Sequence, residues 1–318
     1  MRRSRDRPAD ASGPPIAGIF SRPVAGRSRT PAIFSIGTEP PMSSPRLDLQ
    51  GRRILITGAG SGIGRSLALA LASRHSTLAL AGRRPEPLAE TAALVVERGG
   101  TACTVTTDLT ADGEPERVVT AAVAELGGLD ILINNAGNVR ASALEDIDVV
   151  DIQAMIQLNL LAPILLTRAA LPYLRAAGAR HGHAALVGIA SASALVGTPY
   201  YATYAATKAG LARFDEALRR ELYGSGIHVA TVFPGPVDTP MMATTQAGPD
   251  LGYGLRPVDD VVAEIVAGLE NRQIDINTQL PERRAMEDLN VRDPLAVDAA
   301  LAPKLAELRA AISSHRSI

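Results

Sequence analysis

The sequence has little of several residue types that mark particular classes of protein. It contains one cysteine, Cys103, so it cannot form an intramolecular disulfide, and a thiolate metal site is not expected. Its net charge of −1 gives no reason to expect binding to nucleic acid or to an anionic membrane surface. No uninterrupted apolar run reaches the roughly 18–20 residues that a membrane span requires. We therefore expect a soluble chain with no nucleic-acid or membrane partner.

The first forty residues differ in composition from the rest of the chain. They are rich in Arg, Pro, Ser and Gly and show neither helical nor strand periodicity, so they cannot bury enough surface to offset the entropy of ordering. A targeting peptide is an alternative, although Asp6, Asp10 and the prolines suit a transit helix poorly. Met42 offers a natural start just before the first predicted strand. We expect residues 1–48 to be a disordered extension, of which 1–41 could also reflect the choice of start site.

From residue 52 onward, short apolar runs alternate with segments of helical spacing. The runs are apolar throughout, which is typical of parallel strands covered by helices on both faces. Six of them predict strands, at 53–57, 77–81, 101–108, 129–137, 183–191 and 226–235. The pattern predicts one α/β domain over 49–280, a doubly wound parallel sheet of about seven strands. A helical extension, 281–318, should follow, with one amphipathic helix from about 297 to 312.

The turn after the first strand is rich in glycine. TGAGSGIG (57–64) fits T-G-x-x-x-G-x-G and not G-x-G-x-x-G, because Ile63 occupies the third glycine position counted from Gly58. Glycines let the backbone approach a pyrophosphate, and the following helix N-terminus supplies N–H groups. An ordinary tight turn is the alternative, because a glycine-rich turn alone is a weak signal. The candidate cofactor residues of this Rossmann-type turn are Thr57, Gly58, Ser61, Gly62, Ile63 and Gly64.

The ends of the second and third strands bear on cofactor choice. An NAD site normally places an acidic residue after the second strand, but this chain has Gly82, Arg83 and Arg84 there. Two guanidiniums can bind a 2′-phosphate in bidentate fashion, so we predict a preference for NADP(H) over NAD(H). The alternative is that the arginines only decorate a solvated turn. Asp108, followed by Leu109, is a candidate contact for the adenine, or else a turn or N-cap residue.

Lysine is the scarcest basic residue, with two examples among 32 basic residues, and one of them is Lys208. Tyr204 precedes it by four residues, so the two side chains share one face of the helix predicted over 201–222. A tyrosine beside an ammonium is a suitable proton donor for hydride chemistry at a carbonyl, because the positive charge stabilises the phenolate. An exposed pair with the lysine stem lying on the ring is the alternative. Tyr200 and Tyr201 are better placed as pocket wall or interface.

Over about residues 50–277 these motifs resemble those of the short-chain dehydrogenase/reductase family, of the T-G-x-x-x-G-x-G and Y-x-x-x-K type. The resemblance implies that Asn159, Ser191, Tyr204 and Lys208 are catalytic, with Ser193 as a rival for Ser191. It implies that N-N-A-G (134–137) braces the sheet and that P-G-P-V-D-T (234–239) lies beside the nicotinamide. The further cofactor residues are then Asn135, Ala136, Gly137, Pro234, Gly235, Val237 and Thr239, together with Tyr204 and Lys208.

The resemblance implies an NADP(H)-dependent oxidoreductase that interconverts a ketone or aldehyde and an alcohol, with Tyr204 as acid and base. Met241 and Met242 would contact the substrate beside Ser191 and Tyr204. Alternatives are a 3-oxoacyl-thioester reductase and a silent NADP(H)-binding sensor or scaffold. We expect a cytoplasmic homodimer or homotetramer that pairs through the helices predicted at 144–176 and 201–222. No metal is expected, because the family needs none and His-Gly-His (181–183) is more typical of a solvated loop.

Overall fold

The structure, a computed structural model, describes residues 46–317. The expectation of a disordered extension over residues 1–48 therefore lies outside the described residues except at 46–48. There Leu47 is buried and its backbone N donates to Glu270 O at 2.8 Å, so the ordered chain begins before residue 49. The described part falls within one compact unit.

Seven strands form one parallel sheet in the order β3-β2-β1-β4-β5-β6-β7, which confirms the predicted doubly wound architecture. The order reverses between β1 and β4, and this reversal opens a crevice at the carboxyl ends of the strands. The register places Leu55 beside Ala79 on one side and beside Leu132 on the other. The strands are Arg53–Thr57 (β1), Thr77–Gly82 (β2), Thr101–Thr106 (β3), Ile131–Asn134 (β4), Ala184–Ile189 (β5), Ile227–Phe233 (β6) and Asp275–Asn277 (β7).

Helices cover both faces of the sheet, so its central strands are buried throughout. One face packs against α1, α2 and α7, and the other against α3, α5 and α6. Strand residues alternate between the two cores: Ile54 and Ile56 face the first, and Leu55 faces the second. The helices are Gly62–Ala72 (α1), Pro85–Glu97 (α2), Glu114–Leu126 (α3), Val149–Ile156 (α4), Ala162–His181 (α5), Ala202–Glu221 (α6), Val258–Glu270 (α7), Pro281–Arg292 (α8), Pro294–Leu301 (α9) and Leu305–Ala311 (α10).

The helical segment Val149–His181 comprises α4, a π-helical turn and α5. It is long and apolar enough to cross a membrane by length and composition alone, with a mean hydropathy of 1.7 over its 18-residue window. A single helix of this kind is weak evidence for a membrane span, because a helix in a protein core can have the same length and composition. Here Leu166, Ala170 and Leu174 are buried in the core beneath the sheet. The helix therefore has a packing role in this fold.

The C-terminal extension is helical, but the expectation of one helix over 297–312 is wrong. The segment contains α8, α9 and α10, and a 3-10 turn with Pro303 inside it separates the last two. Proline has no N–H to donate and clashes with the preceding turn, so it interrupts the helix. The chain then returns across the body: Ala141 N donates to His315 O at 3.1 Å, and Ser317 N donates to Val139 O at 3.1 Å. This contact places the C-terminus beside the crevice.

A buried carboxylate joins the central strands at their amino ends, opposite the crevice. Asp130, 3% exposed, precedes β4 and accepts hydrogen bonds from the backbone N, Nε and Nη2 of Arg53 at 3.0, 2.9 and 2.6 Å. Arg180 and His181, at the end of α5, lie 3.3 and 3.2 Å from its Oδ1. Burial raises the pKa of Asp130, but the bonds from Arg53 and His181 outweigh burial and hold the pKa well below its usual range. One side chain thus ties β1, β4 and α5 together.

We expect Asp130→Ala to lower the free energy of unfolding by about 3 kcal/mol, because it removes the buried carboxylate that the largely buried Arg53 side chain pairs with. Since the folded-state pKa is depressed, the contribution is present above the unfolded pKa of about 3.9 and is lost as the pH falls. Urea denaturation of both proteins at about pH 7 and about pH 3 measures this difference, which should shrink at the lower pH.

A matched control is Asp146→Ala, which removes a carboxylate from an ion pair with Arg309 at 2.6 Å whose side chains are both 54% exposed. Its cost should stay below about 1 kcal/mol. Equal losses for the two variants would contradict the role assigned to Asp130.

Candidate active site

One cavity of about 290 Å³ occupies the crevice at the carboxyl ends of the strands. It is lined by the glycine-rich turn, the ends of β2, β4, β5 and β6, and part of α6. No aspartate or glutamate lines it, whereas four basic side chains do. The cavity therefore favours anionic groups. The four basic residues are Arg83, Arg84, Lys208 and Arg283.

The glycine-rich turn leaves its backbone open beside the N-terminus of α1. Gly58 has φ +66°, and a Cβ on Gly64 would lie 2.4 Å from the Gly58 carbonyl oxygen, so neither position accommodates a side chain. Ser61, the N-cap of α1, makes no capping hydrogen bond, and the first turn of the helix has no acidic residue. The N–H groups and the positive end of the helix dipole thus fit the pyrophosphate of a dinucleotide.

Polar contacts between the ends of β1 and β4 form the floor of the crevice. The Thr57 Oγ1 accepts hydrogen bonds from the backbone N of Asn135 and of Ala136, both at 3.0 Å. The Asn135 Nδ2 donates to the Thr57 carbonyl at 2.9 Å, and the Asn134 Nδ2 donates to the Thr167 Oγ1 at 3.0 Å. The N-N-A-G segment therefore joins β1, β4 and α5.

Arg83 and Arg84 lie exposed on the rim of the cavity, directly after β2. Within residues 46–317 neither makes a side-chain hydrogen bond or ion pair, whereas nearby Arg65 is bonded to Glu90 at 2.9 Å. Two unpaired guanidiniums without a carboxylate beside them fit a phosphate on the adenosine ribose.

Asp108 lies at the end of β3 but does not line the cavity. Its Oδ1 accepts hydrogen bonds from the backbone N and the Oγ1 of Thr110 at 3.1 and 2.8 Å. The flanking residues Thr107 and Leu109 do line the cavity. In this arrangement Asp108 shapes the turn that presents its neighbours.

Asn159 lies in the π-helical turn Gln157–Leu161 between α4 and α5, and it is fully buried. Its Oδ1 accepts a hydrogen bond from Asn138 N at 2.8 Å, and its Nδ2 donates to Asn138 O at 2.9 Å and to Thr207 Oγ1 at 3.2 Å. Single π-turns inside α-helices are frequent at functional sites. The side chain of Asn159 thus fixes the chain after β4 against α6, one residue from Lys208.

Lys208 is 4% exposed, and its Nζ donates to the Ile189 carbonyl at 2.9 Å and lies 5.9 Å from the Tyr204 ring centroid. Burial lowers the pKa of Lys208 to about 8, although the nearby Asp215 acts in the opposite direction. Burial also raises the pKa of the Tyr204 phenol, and a hydrogen bond with the Ser191 side chain partly offsets that rise. Tyr204, Ser191 and Lys208 therefore come together as one polar group in an otherwise apolar wall.

The structure also brings both candidate serines to the cavity. The Ser191 Oγ accepts a hydrogen bond from Ser193 N at 3.2 Å and interacts with the phenol of Tyr204. The Ser193 Oγ is instead 3.4 Å from the Thr198 Oγ1. This geometry favours Ser191 as the partner of Tyr204.

The substrate end of the cavity includes residues that sequence reasoning missed. Met241 and Met242 line it, but so do Tyr201, Tyr253, Arg283 and His315. Arg256, which follows Met242 in the chain, does not line the cavity and pairs with Glu264 at 2.7 Å. Nothing local in the sequence distinguishes Arg283 or His315, because only tertiary packing of the C-terminal extension brings them here.

Most predicted cofactor and substrate residues line this one cavity. Four of the predicted site residues do not: Thr57, Gly64, Asp108 and Asn159 act from behind its wall. Those that line it are Gly58, Ser61, Gly62, Ile63, Arg83, Arg84, Leu109, Asn135, Ala136, Gly137, Ser191, Tyr204, Lys208, Pro234, Gly235, Val237, Thr239, Met241 and Met242.

No group of three or more His, Cys, Asp or Glu side chains suited to a metal ion is found among residues 46–317. The two histidines of the His-Gly-His segment lie at the amino ends of the strands, opposite the cavity. His181 contacts Asp130, and His183 accepts a hydrogen bond from Asp48 N at 3.1 Å.

Comparison with known proteins agrees with this geometry. Residues 52–250 match the family model described as short chain dehydrogenase. The chain is 31% identical over 229 residues to the ketoacyl reductase HetN of Nostoc sp., covering 72% of this chain and 78% of that protein. It is 37% identical over 194 residues to 11-beta-hydroxysteroid dehydrogenase 1A of Arabidopsis thaliana, covering 60% of this chain and 54% of that protein.

Solved structures share the fold. A short chain dehydrogenase from Burkholderia cenocepacia, in complex with NADP, is 31% identical and has a TM-score of 0.66. That match covers 72% of this chain and 96% of the Burkholderia chain. Levodione reductase, 23% identical with a TM-score of 0.67, supports the fold alone.

Proposed function

The chain belongs to the short-chain dehydrogenase family of oxidoreductases, and we propose that it uses NADP(H) to interconvert a ketone or aldehyde and an alcohol. The observation that carries this proposal is that Ser191, Tyr204 and Lys208 line the same cavity as an open glycine-rich turn. Neither half would suffice alone, because glycine turns and Tyr–Lys pairs both occur without catalysis.

The residues of the cavity divide into a part that holds the cofactor and a part that handles the substrate oxygen. The glycine-rich turn holds the pyrophosphate, and Arg83 and Arg84 bind the 2′-phosphate. When bound, the nicotinamide supplies or accepts a hydride. Val237 and Thr239, which follow β6, are placed to contact its carboxamide.

The substrate oxygen lies between the Ser191 and Tyr204 hydroxyls. Tyr204 donates a proton to the developing alkoxide, or removes it in the reverse direction. Ser191 donates a hydrogen bond to the same oxygen, a preorganised contact of the oxyanion type. Burial raises the pKa of Tyr204, so the phenol stays protonated and ready to donate. Asn159 and Lys208 orient the relay behind it.

A second candidate within the same chemistry is reduction of a 3-oxoacyl thioester. The likeness to a ketoacyl reductase favours it, whereas the likeness to a hydroxysteroid dehydrogenase favours a ring ketone or alcohol. A candidate of another class is a silent NADP(H)-binding sensor or scaffold, but this chain keeps both Tyr204 and Lys208.

We also propose a homodimer or homotetramer. Support comes from apolar side chains that α4 leaves exposed, Val149 and Val150 at 68% and 67%, with Ile156 at 42%. Such a stripe on one helix is typical of an interface.

Consumption of NADPH over a panel of ketones, quinones, steroids and acyl thioesters tests the function. We expect turnover with at least one carbonyl class and loss of more than about 100-fold in kcat for Tyr204→Phe, because the proton donor is removed. NADPH binding, followed by fluorescence, should persist in the variant. Tight NADPH binding by the wild type without any turnover would instead support the sensor.

Cofactor choice is tested by kcat/KM with NADPH and NADH. The wild type should prefer NADPH, and Arg83→Ala should lose about 10-fold or more with NADPH while changing little with NADH, because a charge-assisted contact to phosphate is worth about 1.5–3 kcal/mol. Arg65→Ala is the matched control, since its guanidinium is bonded to Glu90. A wild-type preference for NADH would overturn the NADP assignment.

The two serines should differ in their effect on kcat. Ser191→Ala should lower kcat by about 10²–10³-fold, because a donor to the substrate oxygen is lost. Ser193→Ala should cost far less, since its hydroxyl faces Thr198. The opposite ranking in steady-state kinetics would reverse the assignment of the catalytic serine.

A further inference from the structure

The substrate end of the cavity contains a connected set of four polar side chains, which we call the polar end: Tyr201, Tyr253, Arg283 and His315. The Tyr201 ring centroid lies 6.3 Å from that of Tyr204, so the polar end begins directly beside the reacting group. The Tyr201 ring centroid lies 6.2 Å from that of Tyr253 and 5.6 Å from that of His315. The Arg283 Cζ lies 5.7 Å from the Tyr253 ring centroid.

Arg283 brings a positive charge into this end without a matching carboxylate. Its Nε donates to the Gly252 carbonyl at 3.0 Å, and within the described chain its Nη atoms have no hydrogen-bond acceptor and no ion-pair partner. Glu287 attracts the Arg283 charge but makes no ion pair with it. Its Oε2 accepts a hydrogen bond from the Asn277 Nδ2 at 2.9 Å, and its Oε1 accepts one from Gln279. Burial lowers the pKa of Arg283, and the nearby Tyr253, Glu287 and Tyr201 act in the opposite direction.

His315 supplies a second unsatisfied group. It is 2% exposed, and its Nδ1 lies 2.6 Å from the Tyr201 hydroxyl. Burial raises the pKa of Tyr201, so that hydroxyl stays a donor, and burial lowers the pKa of His315, which keeps the imidazole neutral. With Tyr201 donating to Nδ1, the ring proton lies on Nε2, a buried atom that makes no hydrogen bond of ordinary length and angle within residues 46–317, although the Met241 backbone lies near enough to raise the pKa of the ring. Buried donors of this kind cost free energy unless a ligand accepts from them.

Resting on the proposed oxidoreductase function, we propose that the polar end binds a carboxylate of the substrate through Arg283. The ligand is then a keto acid or hydroxy acid, and its carboxylate is remote from the reacting carbon. A guanidinium whose Nη edge is open matches a carboxylate in bidentate fashion. A single cation lining the substrate end of the cavity, with Glu287 close behind it, suits a monoanion better than a phosphate dianion. The tyrosine rings suit a hydrocarbon segment between the two ends.

The order of the side chains favours a keto acid longer than the shortest ones. Tyr204, Tyr201, Tyr253 and Arg283 follow one another at intervals of 6.3, 6.2 and 5.7 Å. Because two aromatic side chains separate Tyr204 from Arg283 in this series, we expect a carboxylate held by Arg283 to lie several bonds from a carbonyl held by Tyr204.

Part of the polar end also lies outside the residues that match the family model. Arg283 and His315 follow the last residue of the match at 52–250. The C-terminal extension thus supplies side chains that select the substrate, whereas the catalytic residues lie within the part that matches the family model.

The first experiment compares kcat/KM for 7-oxooctanoate with that for its methyl ester, which has the same chain without the charge. The wild type should prefer the acid by about 10-fold or more, the worth of one charge-assisted contact. Arg283→Met should bring the acid-to-ester ratio to near unity, and Arg283→Lys should fall between, because it keeps the charge and loses the fork. Arg292→Met is the matched control: it is exposed on the same helix, α8, and does not line the cavity. It should keep the wild-type ratio.

A shorter keto acid, 4-oxopentanoate, should show no preference over its ester. A wild type that prefers the long ester, or an Arg283→Met protein that keeps the acid preference, would overturn the proposal.

A binding measurement separates this proposal from the proposed function. Octanoate and octan-1-ol are titrated calorimetrically into the protein with NADPH present. Octanoate should bind about 10-fold more tightly than the alcohol to the wild type and the Arg292→Met protein, but not to Arg283→Met. If no carbonyl is turned over and this pattern is still seen, the anion site stands and the oxidoreductase function fails. Turnover of carbonyls with octanoate binding that Arg283→Met leaves intact overturns the anion site alone.

Discussion

The site depends on one set of hydrogen bonds, those between Thr57 and the segment that follows β4. The strand order reverses between β1 and β4, so the segments that follow these two strands diverge. Without further partners, their backbone groups would be left unpaired. Thr57 Oγ1 accepts from two successive backbone N–H groups, and Asn135 Nδ2 returns a bond to the Thr57 carbonyl. Because these bonds close the floor, the glycine-rich turn and the N-N-A-G segment can both present backbone to the crevice. A cofactor site at this point is thus a consequence of sheet topology.

The parts of this protein that sequence reasoning predicted are those where local chemistry decides. Glycines after β1 and a tyrosine four residues before a lysine are requirements of a turn and of a helix face, and both are visible within eight residues. The single C-terminal helix was wrong because Pro303 outweighed an amphipathic pattern that continued past it. Arg256 and Arg283 make the limit clearer. Both follow Met241 and Met242 in the chain, and only packing decides that Arg256 pairs with Glu264 while Arg283 lines the cavity.

The C-terminal extension completes the cavity by contacts that are distant in sequence. Tyr201 and His315 are 114 residues apart and share a buried hydrogen bond. Tyr200, with φ +67°, is held in a conformation rare for a side chain of its size, and its hydroxyl donates to Leu305 O at 3.1 Å. The backbone strain at Tyr200 lies immediately before Tyr201 and α6. The extension therefore fixes the chain at the start of α6, the helix that carries Tyr204 and Lys208, and also lines the substrate end of the cavity.

Burial explains why position 208 holds a lysine in a chain that otherwise uses arginine. The Nζ of Lys208 fits beneath the Ile189 carbonyl, and even a Cβ on Gly137 would come within 3.2 Å of it. A planar guanidinium is too wide for that space. Burial opposes the ammonium charge, and Asp215, two turns along the same helix, offsets part of that cost. Asp215 is itself buried because Gly188 on β5 has no side chain: a Cβ there would lie 2.0 Å from the Asp215 Oδ2. Burial raises the pKa of Asp215 to about 8, although Thr231 and Lys208 act in the opposite direction. A glycine in the sheet thus makes room for a buried carboxyl that offsets part of the cost of the Lys208 charge when it is ionised.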